Sequence, residues 1–257
     1  YHTENIINPS FVNLSPDKKF LFSVNENGDK STVTSFTIDE ANGTLTKKDE
    51  RKTQGEEPCF LISEDQNLIV ANYSGGSINV FKRYADGKLS DVFQNIKFEG
   101  VGVNPKRQEK SHIHQVQFSP DGRYVLANDL GLDKIYVFKY NKSGDKVLEK
   151  VNEYDAKKGS GPRHIAFNKS GNLFYLVQEL SGDLSVLSFD DGKIKLIQEE
   201  TLLSRKVRFN FRAADIHLSD NEKFLYVTNR DDADDITTFK ILEDGKVKRI
   251  QQIKTTG

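Results

Sequence analysis

The sequence lacks the cysteine pairs of disulfide-stabilised proteins and the long apolar runs of membrane-spanning proteins. It has one cysteine, Cys59, and so cannot form an internal disulfide, which excludes a small disulfide-stapled scaffold of the secreted type. It also lacks any uninterrupted apolar run near the ~18 residues that a membrane-spanning helix requires. With 36% hydrophobic residues, the chain is still apolar enough to build a packed core.

An excess of charge of either sign is absent as well. The 37 Lys and Arg residues are balanced by 38 Asp and Glu residues, which gives a formal net charge of −1. Binding to a nucleic-acid backbone depends on excess positive charge, so a broadly basic nucleic-acid-binding protein is disfavoured. We expect neither a nucleic-acid partner nor a membrane span.

Methionine is absent from all 257 residues, including the first position, where Tyr1 stands. Natural chains of this length usually contain several methionines, and omission of selenomethionine residues would explain their absence. We therefore expect that some positions of the natural protein are missing from this sequence. A signal or lipoprotein segment before Tyr1 is compatible with it.

The feature that organises the chain is a repeat of about fifty residues. Each copy has a short apolar segment, a turn and a second apolar segment that ends in polar residues. In the third copy these are His112–Gly122 and Tyr124–Asp129. The equivalent turn residues are separated by 48, 56, 49 and 51 positions in the series Ser15, Ser63, Ser119, Asn168 and Ser219.

Each copy is predicted to form four β-strands. Pro120–Gly122 is typical of a tight turn, and Lys134–Phe138 alternates polar and apolar residues, as a half-buried third strand does. No stretch has a sustained helical period, so helix should be scarce. Short fourth strands are expected after four glycines: Gly43, Gly87, Gly192 and Gly245.

Four strands per repeat of this length indicate a β-propeller. We predict one all-β domain over residues 1–257, with blades starting near residues 8, 57, 112, 162 and 213. The sequence ends at Thr255–Gly257, where a sixth blade would begin. Because a propeller closes as a ring to avoid exposed sheet edges, we expect these five blades to be part of a larger ring rather than a complete small one.

The repeat also predicts where polar side chains converge. In a blade, the start of the first strand and the end of the second lie near the same face of the ring. Repetition therefore gathers these positions around one mouth of the central channel, the default site of a propeller. The polar residues there are Glu26, Asn72, His112, His114, Asn128, Asp129, Arg163, His164, Glu179, Asp215, His217, Asn229 and Arg230.

The longest repeat contains extra residues in Asp91–Ser111. A loop this long in a compact domain is often functional. It leads into the strand that carries His112 and His114, so we expect Arg107 to reach the same mouth.

Each candidate has a structural alternative. Arg163 and Glu179 could form only an ion pair within one hairpin, or they could be an anion-binding arginine beside a carboxylate base. His112 and His114 project to one face of a strand, but no Cys, Asp or Glu spacing supports zinc. We expect no metal ion and at least one of the two in binding or catalysis.

For the remaining candidates, the sequence favours structural roles. His164 and His217 lie within first strands and are expected to make structural hydrogen bonds. Asp215 could bridge adjacent blades, and Cys59 is typical of a small buried residue. Motifs of other enzymes are missing, since the chain has no G-x-S-x-G elbow and Gly159–Pro162 is too short for a dinucleotide loop.

Several motifs together resemble the bacterial β-propeller 6-phosphogluconolactonases. Pro105–Gly122 joins Pro-Lys-Arg-Gln-Glu-Lys-Ser-His-Ile-His to a Phe-Ser-Pro-Asp-Gly turn, and Gly159–Phe167 contains Gly-Pro-Arg-His. The resemblance covers nearly the whole chain and implies a seven-bladed propeller. The other motifs that carry it are Ala71–Gly76, Asn128–Ile135, Gln178–Gly182, Ala213–His217 and Tyr226–Arg230.

The resemblance also implies site residues. The family includes lactonases of the oxidative pentose phosphate pathway and the related fungal carboxy-muconate lactonizing enzymes. In the latter, a histidine, two arginines and a glutamate at the channel mouth are the suggested active residues. By motif these fall on His114, Arg163, Arg230 and Glu179 of this sequence.

The function we expect is hydrolysis of a sugar lactone, with 6-phosphogluconolactone giving 6-phosphogluconate. Glu179 or His114 would take a proton from the attacking water, and the arginines would hold the oxyanion or the phosphate. The expected protein needs no cofactor and is a cytoplasmic monomer or weak dimer, although an exported form is compatible with the sequence. Residues expected to bind substrate are Arg107, His112, Asn72, Asp129, Asp215 and His217.

Two alternatives remain at this point. One is an enzyme that lactonizes a muconate-type diacid, which needs the same anion-binding arginines. The other is a propeller that only binds a ligand or protein partner at this mouth, because a fold alone does not determine a function.

Overall fold

In the computed structural model, which describes residues 6–203 and 211–255, a unit of four antiparallel strands occurs five times. Thr256 and Gly257, part of the expected start of a sixth repeat, lie outside the described residues. The strands of successive units are β1 Pro9–Leu14, β2 Phe20–Asn25, β3 Thr32–Ile38 and β4 Leu45–Lys52; β5 Pro58–Ser63, β6 Asn67–Asn72, β7 Ser77–Arg83 and β8 Leu89–Lys97; β9 Ile113–Phe118, β10 Tyr124–Asp129, β11 Lys134–Tyr140 and β12 Leu148–Asp155; β13 Pro162–Phe167, β14 Leu173–Gln178, β15 Asp183–Asp190 and β16 Lys193–Thr201; β17 Phe211–Leu218, β18 Phe224–Asp231, β19 Asp235–Ile241 and β20 Val247–Lys254.

Each unit is a four-stranded blade in which strands adjacent in sequence are adjacent in the sheet. The all-β propeller architecture predicted from the repeat is confirmed. The described residues also contain a single-turn 3₁₀ helix at Gly28–Lys30. No helix within 6–203 or 211–255 has the length and apolarity that crossing a membrane would require.

In four of the five blades the repeated Ser or Asn near the end of the first strand closes the turn into the second, and Ser63 instead donates to the first blade. The hydroxyl of Ser119 accepts the backbone N–H of Tyr124 at 3.0 Å and donates to Asp121 at 2.6 Å. Ser15 makes the same pair of hydrogen bonds with Phe20 and Asp17. A side chain that bonds to nearby backbone in this way stabilises a turn, which explains why the residue type recurs at this position.

The prediction of short fourth strands was wrong. The five fourth strands contain eight or nine residues and are as long as any others in their blades. They form the outer edge of each blade, and most of their side chains are exposed or half-buried. Their sequences are correspondingly polar, as in Leu45–Lys52, and so give little of the apolar alternation by which strands are recognised.

The hydrophobic core lies between blades rather than within them. Four clusters of buried side chains each join two consecutive blades. Between the first two blades, for example, Phe22 and Val24 pack against Leu61 and Val70. Complete burial of one such side chain contributes about 1.5–3 kcal/mol, so each blade is stabilised mainly by its neighbours.

The outer faces of the first and fifth blades are less covered among the described residues. Tyr226 of the fifth blade is 40% exposed, whereas Tyr175 at the same position of the fourth is 1% exposed. Val12 of the first blade is 52% exposed, whereas Leu61 of the second is fully buried. These two faces carry the apolar residues of a blade junction without a second blade packed against them.

The turns between third and fourth strands bring one blade close to the preceding one. Gly87 has a φ of +83°, and a Cβ atom there would collide with the ring of Phe20 in the first blade. Gly43 lies in the corresponding turn of the first blade with a φ of +73°, but nothing lies within 4 Å of its Cβ position. Both positions favour glycine for their backbone, and only Gly87 also needs glycine for packing.

This pair gives a test of blade packing. Gly43→Ala should destabilise the protein by about 1 kcal/mol, because alanine is strained at positive φ. Gly87→Ala should cost about 1–3 kcal/mol more, since the methyl group must also displace a buried phenyl ring. Urea unfolding followed by circular dichroism measures both values. Equal losses in the two variants would contradict the close contact with Phe20.

Candidate active site

The innermost strand of every blade has a β-bulge near its start. At this point the register with the second strand shifts, so that one residue of the first strand, or two in the fifth blade, has no cross-strand partner. Bulges redirect side chains and are common beside active sites. The bulged residues are Ser10, Cys59, His114, Arg163 and the pair Ala214–Asp215.

Four bulged residues, Ser10, Cys59, His114 and Arg163, line one cavity of about 540 Å³ at the mouth of the channel. The ends of the second strands complete its wall, because these ends lie beside the bulges. They contribute Glu26, Tyr73, Glu179 and Arg230. Of the thirteen polar residues expected at this mouth, six line the cavity: Glu26, His114, Arg163, His164, Glu179 and Arg230.

The carboxylate of Glu179 is the centre of the cavity. It is 2% exposed and accepts hydrogen bonds from Arg107 at 2.6 Å and from Arg163 at 2.9 Å. Nη2 of Arg230 lies 3.0 Å from the same oxygen as Arg163. Hydrogen bonds between ionised groups are among the strongest in proteins, and here one buried anion is shared by three cations.

Three separate parts of the chain supply these cations. Arg107 comes from the long loop after β8, and its guanidinium also donates to the Tyr73 hydroxyl at 3.1 Å. Arg163 is held from the other side, where it donates to the carbonyl of Ala214 at 2.6 Å. Burial lowers the pKa of Arg163, although Glu179 opposes this effect. The three guanidinium groups together exceed the charge of the one carboxylate, which favours binding of an anion.

His114 and Cys59 line the cavity beside this cluster. Burial, with the nearby charge of Arg163, lowers the pKa of His114 well below its usual range, so this imidazole is neutral at pH 7. Its Nε2 lies 3.9 Å from Glu179, and its Nδ1 lies 3.9 Å from the Cys59 sulfur. Burial raises the pKa of Cys59 to about 12, which keeps the thiol protonated.

Two further carboxyl groups line the cavity. Glu26 and Glu57 line it together with Ser10. Burial and the neighbouring Glu57 raise the pKa of Glu26, and the hydrogen bond from Ser10 opposes that increase. A carboxylate accepts hydrogen bonds from hydroxyls, and a protonated carboxyl group can also donate to them. The cavity therefore combines cationic groups with groups that can bind hydroxyls.

His164 lies at the inner end of the cavity and is 8% exposed. Its Nδ1 is 2.9 Å from one oxygen of Asp215, whose other oxygen is 2.9 Å from Nε2 of His217. Burial lowers the pKa of His164 to about 4, although its hydrogen bond with Asp215 opposes this shift. The same bond lowers the pKa of Asp215 against the effect of burial.

Several residues predicted to bind substrate lie outside the cavity lining. His217 is 75% exposed, and it lines a second cavity together with Asp215. Asn72 is fully buried and donates to Ser77 and Asn79. The structure gives these side chains local contacts rather than a place in the wall around Glu179.

His112 and Asp129 support the wall from behind. The His112 ring stacks on Tyr73 with centroids 4.4 Å apart, and its nitrogens lie 3.1 Å from the Tyr73 carbonyl and from Glu109. The carboxylate of Asp129 is fully buried and accepts from the Ser111 hydroxyl and the backbone of His112. Both residues fix the end of the long loop rather than face the cavity.

Sequence reasoning missed Tyr73 and Arg212 as wall residues. Tyr73 follows β6 at the position that Glu179 occupies after β14, so the repeat itself was the available signal. Arg212 makes two hydrogen bonds of 2.8 Å to Asp231, which follows Arg230. No group of three or more His, Cys, Asp or Glu side chains in the described parts of the chain is arranged to hold a metal ion.

Comparison with known proteins agrees with the fold. The family model of the seven-bladed β-propeller lactonases matches residues 2–257. A 6-phosphogluconolactonase of Formosa agariphila is 34% identical over 99% of this chain and 74% of its own length. The 6-phosphogluconolactonase of Bacillus subtilis is 31% identical over 97% of this chain and 72% of its own.

Solved structures give the same result. The periplasmic gluconolactonase of Pseudomonas aeruginosa superposes with a TM-score of 0.91 at 32% identity. This match covers all of the present chain and 74% of that protein. On the strength of a family match over nearly every residue and relatives above 30% identity, the chain belongs to the seven-bladed β-propeller lactonases.

Proposed function

We propose that this protein hydrolyses a sugar lactone, and that its substrate is 6-phosphogluconolactone, which gives 6-phosphogluconate. The observation that carries the proposal is the convergence of Arg107, Arg163 and Arg230 on the buried carboxylate of Glu179 in an open cavity. The names of the Formosa and Bacillus relatives support the same substrate. Because the substrate is a phosphorylated sugar, we place the reaction in the cytoplasm. We also expect the protein to be a monomer or weak dimer.

The arginines fit the charges of this reaction. When water attacks the lactone carbonyl, negative charge develops on the carbonyl oxygen. A guanidinium already fixed in place stabilises that charge without having to reorganise. Arg107 and Arg230 are 31% and 40% exposed and are free to meet a phosphate, whereas Arg163 at 13% is held deeper in the cavity. We assign the phosphate to the first two and the developing oxyanion to Arg163.

Glu179 is better suited to hold the arginines than to act as the base. One of its oxygens accepts from Arg107 and the other is shared by Arg163 and Arg230. A base needs a free lone pair within reach of the attacking water. The geometry therefore does not favour the expectation that Glu179 takes the proton.

The carboxyl groups of Glu26 and Glu57 favour a sugar over a muconate-type diacid. A diacid brings a second carboxylate into the cavity that these two residues line. Like charges brought close together destabilise binding. Sugar hydroxyls, in contrast, can bond to these carboxyl groups. Hydrolysis of 6-phosphogluconolactone, measured with subtraction of its fast spontaneous hydrolysis and beside unphosphorylated gluconolactone, tests the proposal directly. A propeller that only binds its ligand would give no turnover above the spontaneous rate.

Loss of one outer arginine should separate phosphate binding from chemistry. Arg107→Met and Arg230→Met should each raise KM for 6-phosphogluconolactone about 10–100-fold, because each removes a charge-assisted bond to phosphate. KM for unphosphorylated gluconolactone should change much less. Arg123→Met is the matched control, since Arg123 is 60% exposed and pairs with Asp121 away from the cavity. An equal rise in KM for both lactones would argue against a phosphate site.

Glu179→Gln tests the organising role of the carboxylate. The variant leaves three guanidinium groups without their common anion, so unfolding free energy should fall by about 2–3 kcal/mol and kcat/KM by about 10²-fold or more. Adding Arg163→Gln to this variant should recover part of the stability, because one repelling charge is removed. Glu153→Gln, which alters an exposed pair with Lys134, controls for loss of a carboxylate. Full stability in Glu179→Gln would show that the cluster does not depend on this anion.

A further inference from the structure

His164 and Asp215 form a hydrogen-bonded pair whose members line two different cavities. His164 lines the cavity that contains Glu179, whereas Asp215 lines a second cavity of about 600 Å³. Nδ1 of His164 and Oδ1 of Asp215 are 2.9 Å apart. The two residues belong to neighbouring blades, β13 and β17, so their contact depends on the packing of the ring.

Asp215 is itself held firmly. The same carboxylate oxygen accepts the backbone N–H of Ile216 at 2.9 Å, and its second oxygen is 2.9 Å from Nε2 of His217. Its own backbone N–H donates to the Thr228 hydroxyl at 3.0 Å. An ionised carboxylate only accepts hydrogen bonds, so Nδ1 of His164 must carry a proton. In a neutral imidazole this leaves the lone pair on Nε2.

Neither Glu179 nor His114, the two bases expected from the sequence, has this arrangement. Both oxygens of Glu179 are occupied by guanidinium groups. A carboxylate oxygen of Glu179 lies 3.9 Å from Nε2 of His114, which is too long for this carboxylate to fix the tautomer of the ring. A base that is oriented by a third group is the recurring arrangement in acyl-transfer enzymes, and here His164 with Asp215 has it.

We propose that His164 is the general base of the lactone hydrolysis and that Asp215 is its positioning residue. The proposal rests on the lactonase function proposed above. Nε2 of His164 takes a proton from water as the water oxygen bonds to the lactone carbonyl carbon. When the bond between that carbon and the ring oxygen breaks, the same proton passes to the ring oxygen, which becomes a hydroxyl. The new carboxylic acid then ionises to solvent.

Arg163 completes the arrangement. Its Nη1 is 3.4 Å from both ring nitrogens of His164, so the group that would stabilise the oxyanion lies beside the group that would take the proton. A lactone carbonyl placed against Arg163 is thereby within reach of a water on Nε2. General bases must lie within hydrogen-bond distance of the proton they abstract, directly or through one water.

The pH dependence follows from the groups that face His164. These are Asp215, Arg163, His114 and Glu179. Burial and Arg163 disfavour the charged imidazole and Asp215 favours it, which together place its pKa at about 4. The neutral form is the base, so kcat/KM should be constant above this value and fall as pH decreases through it. Asp215→Asn removes the charge that favours protonation, and its acidic limb should move to lower pH.

The experiment compares three variants of the protein. His164→Gln should lower kcat about 10²-fold or more with KM changed less than about 3-fold, since the base acts in the transition state. Asp215→Asn should lower kcat about 10-fold or more and shift the acidic limb. Gln117→Ala is the control, because Gln117 lines the second cavity without a role in either site, and its kcat should stay within about 2-fold.

Two further measurements distinguish a base from a structural residue. His164→Gly should recover turnover when imidazole is added, and His164→Gln should lose the solvent isotope effect on kcat. Binding of 6-phosphogluconate, which needs no turnover, shows that each variant is folded. A kcat in His164→Gln above about one fifth of the wild-type value would overturn the assignment while the lactonase function stands. Failure of the wild-type protein to hydrolyse any sugar lactone would overturn the proposed function, and the assignment with it.

Discussion

The sharing of one buried carboxylate by three guanidinium groups is the constraint on which the mouth of this propeller depends. Arg107, Arg163 and Arg230 come from a long loop and from two blades, and without Glu179 they would repel one another at this distance. A buried ion cluster contributes little to stability by itself because desolvation is costly. Its effect is positional: it fixes three parts of the chain relative to each other and keeps positive charge directed into the cavity.

Much of this arrangement could be predicted because a propeller repeats its geometry. Once the copies are aligned, Arg163, Glu179 and Arg230 occupy ends of first and second strands, and these ends meet at one face. Arg107 could be placed by the length of its loop. The turn after the first strand could be predicted equally well, since Ser119 and Asp121 bond to each other and to the backbone of their own turn. Sequence patterns were therefore enough to predict those parts of the structure that are fixed by contacts within a turn or by contacts that recur in every blade.

The rest depends on contacts that the repeat does not encode. Asp129 was expected at the mouth, yet the strand register makes it equivalent to Gln178, one residue before Glu179, and Ser111 and nearby backbone hold its carboxylate away from the cavity. His164 was expected to make structural hydrogen bonds, and only the packing of blade on blade shows that its partner is Asp215. The register shifts of the innermost strands have no local sequence signal. Polar fourth strands were underestimated because their edge position removes the need for apolar alternation.

The register shifts of the innermost strands allow the cavity lining to change during evolution while the sheets are preserved. Each bulge presents one side chain to the cavity, while the paired residues on both sides of it continue to hold the sheet. Substitution at a bulge therefore alters one sector of the cavity without altering the ring. The sectors of Ser10 and Cys59 are small and unreactive here, whereas those of His114 and Arg163 are large and polar. The side chains at the bulges can therefore be replaced one at a time. New substrate preferences can arise at Ser10 and Cys59 while His114 and Arg163 are retained.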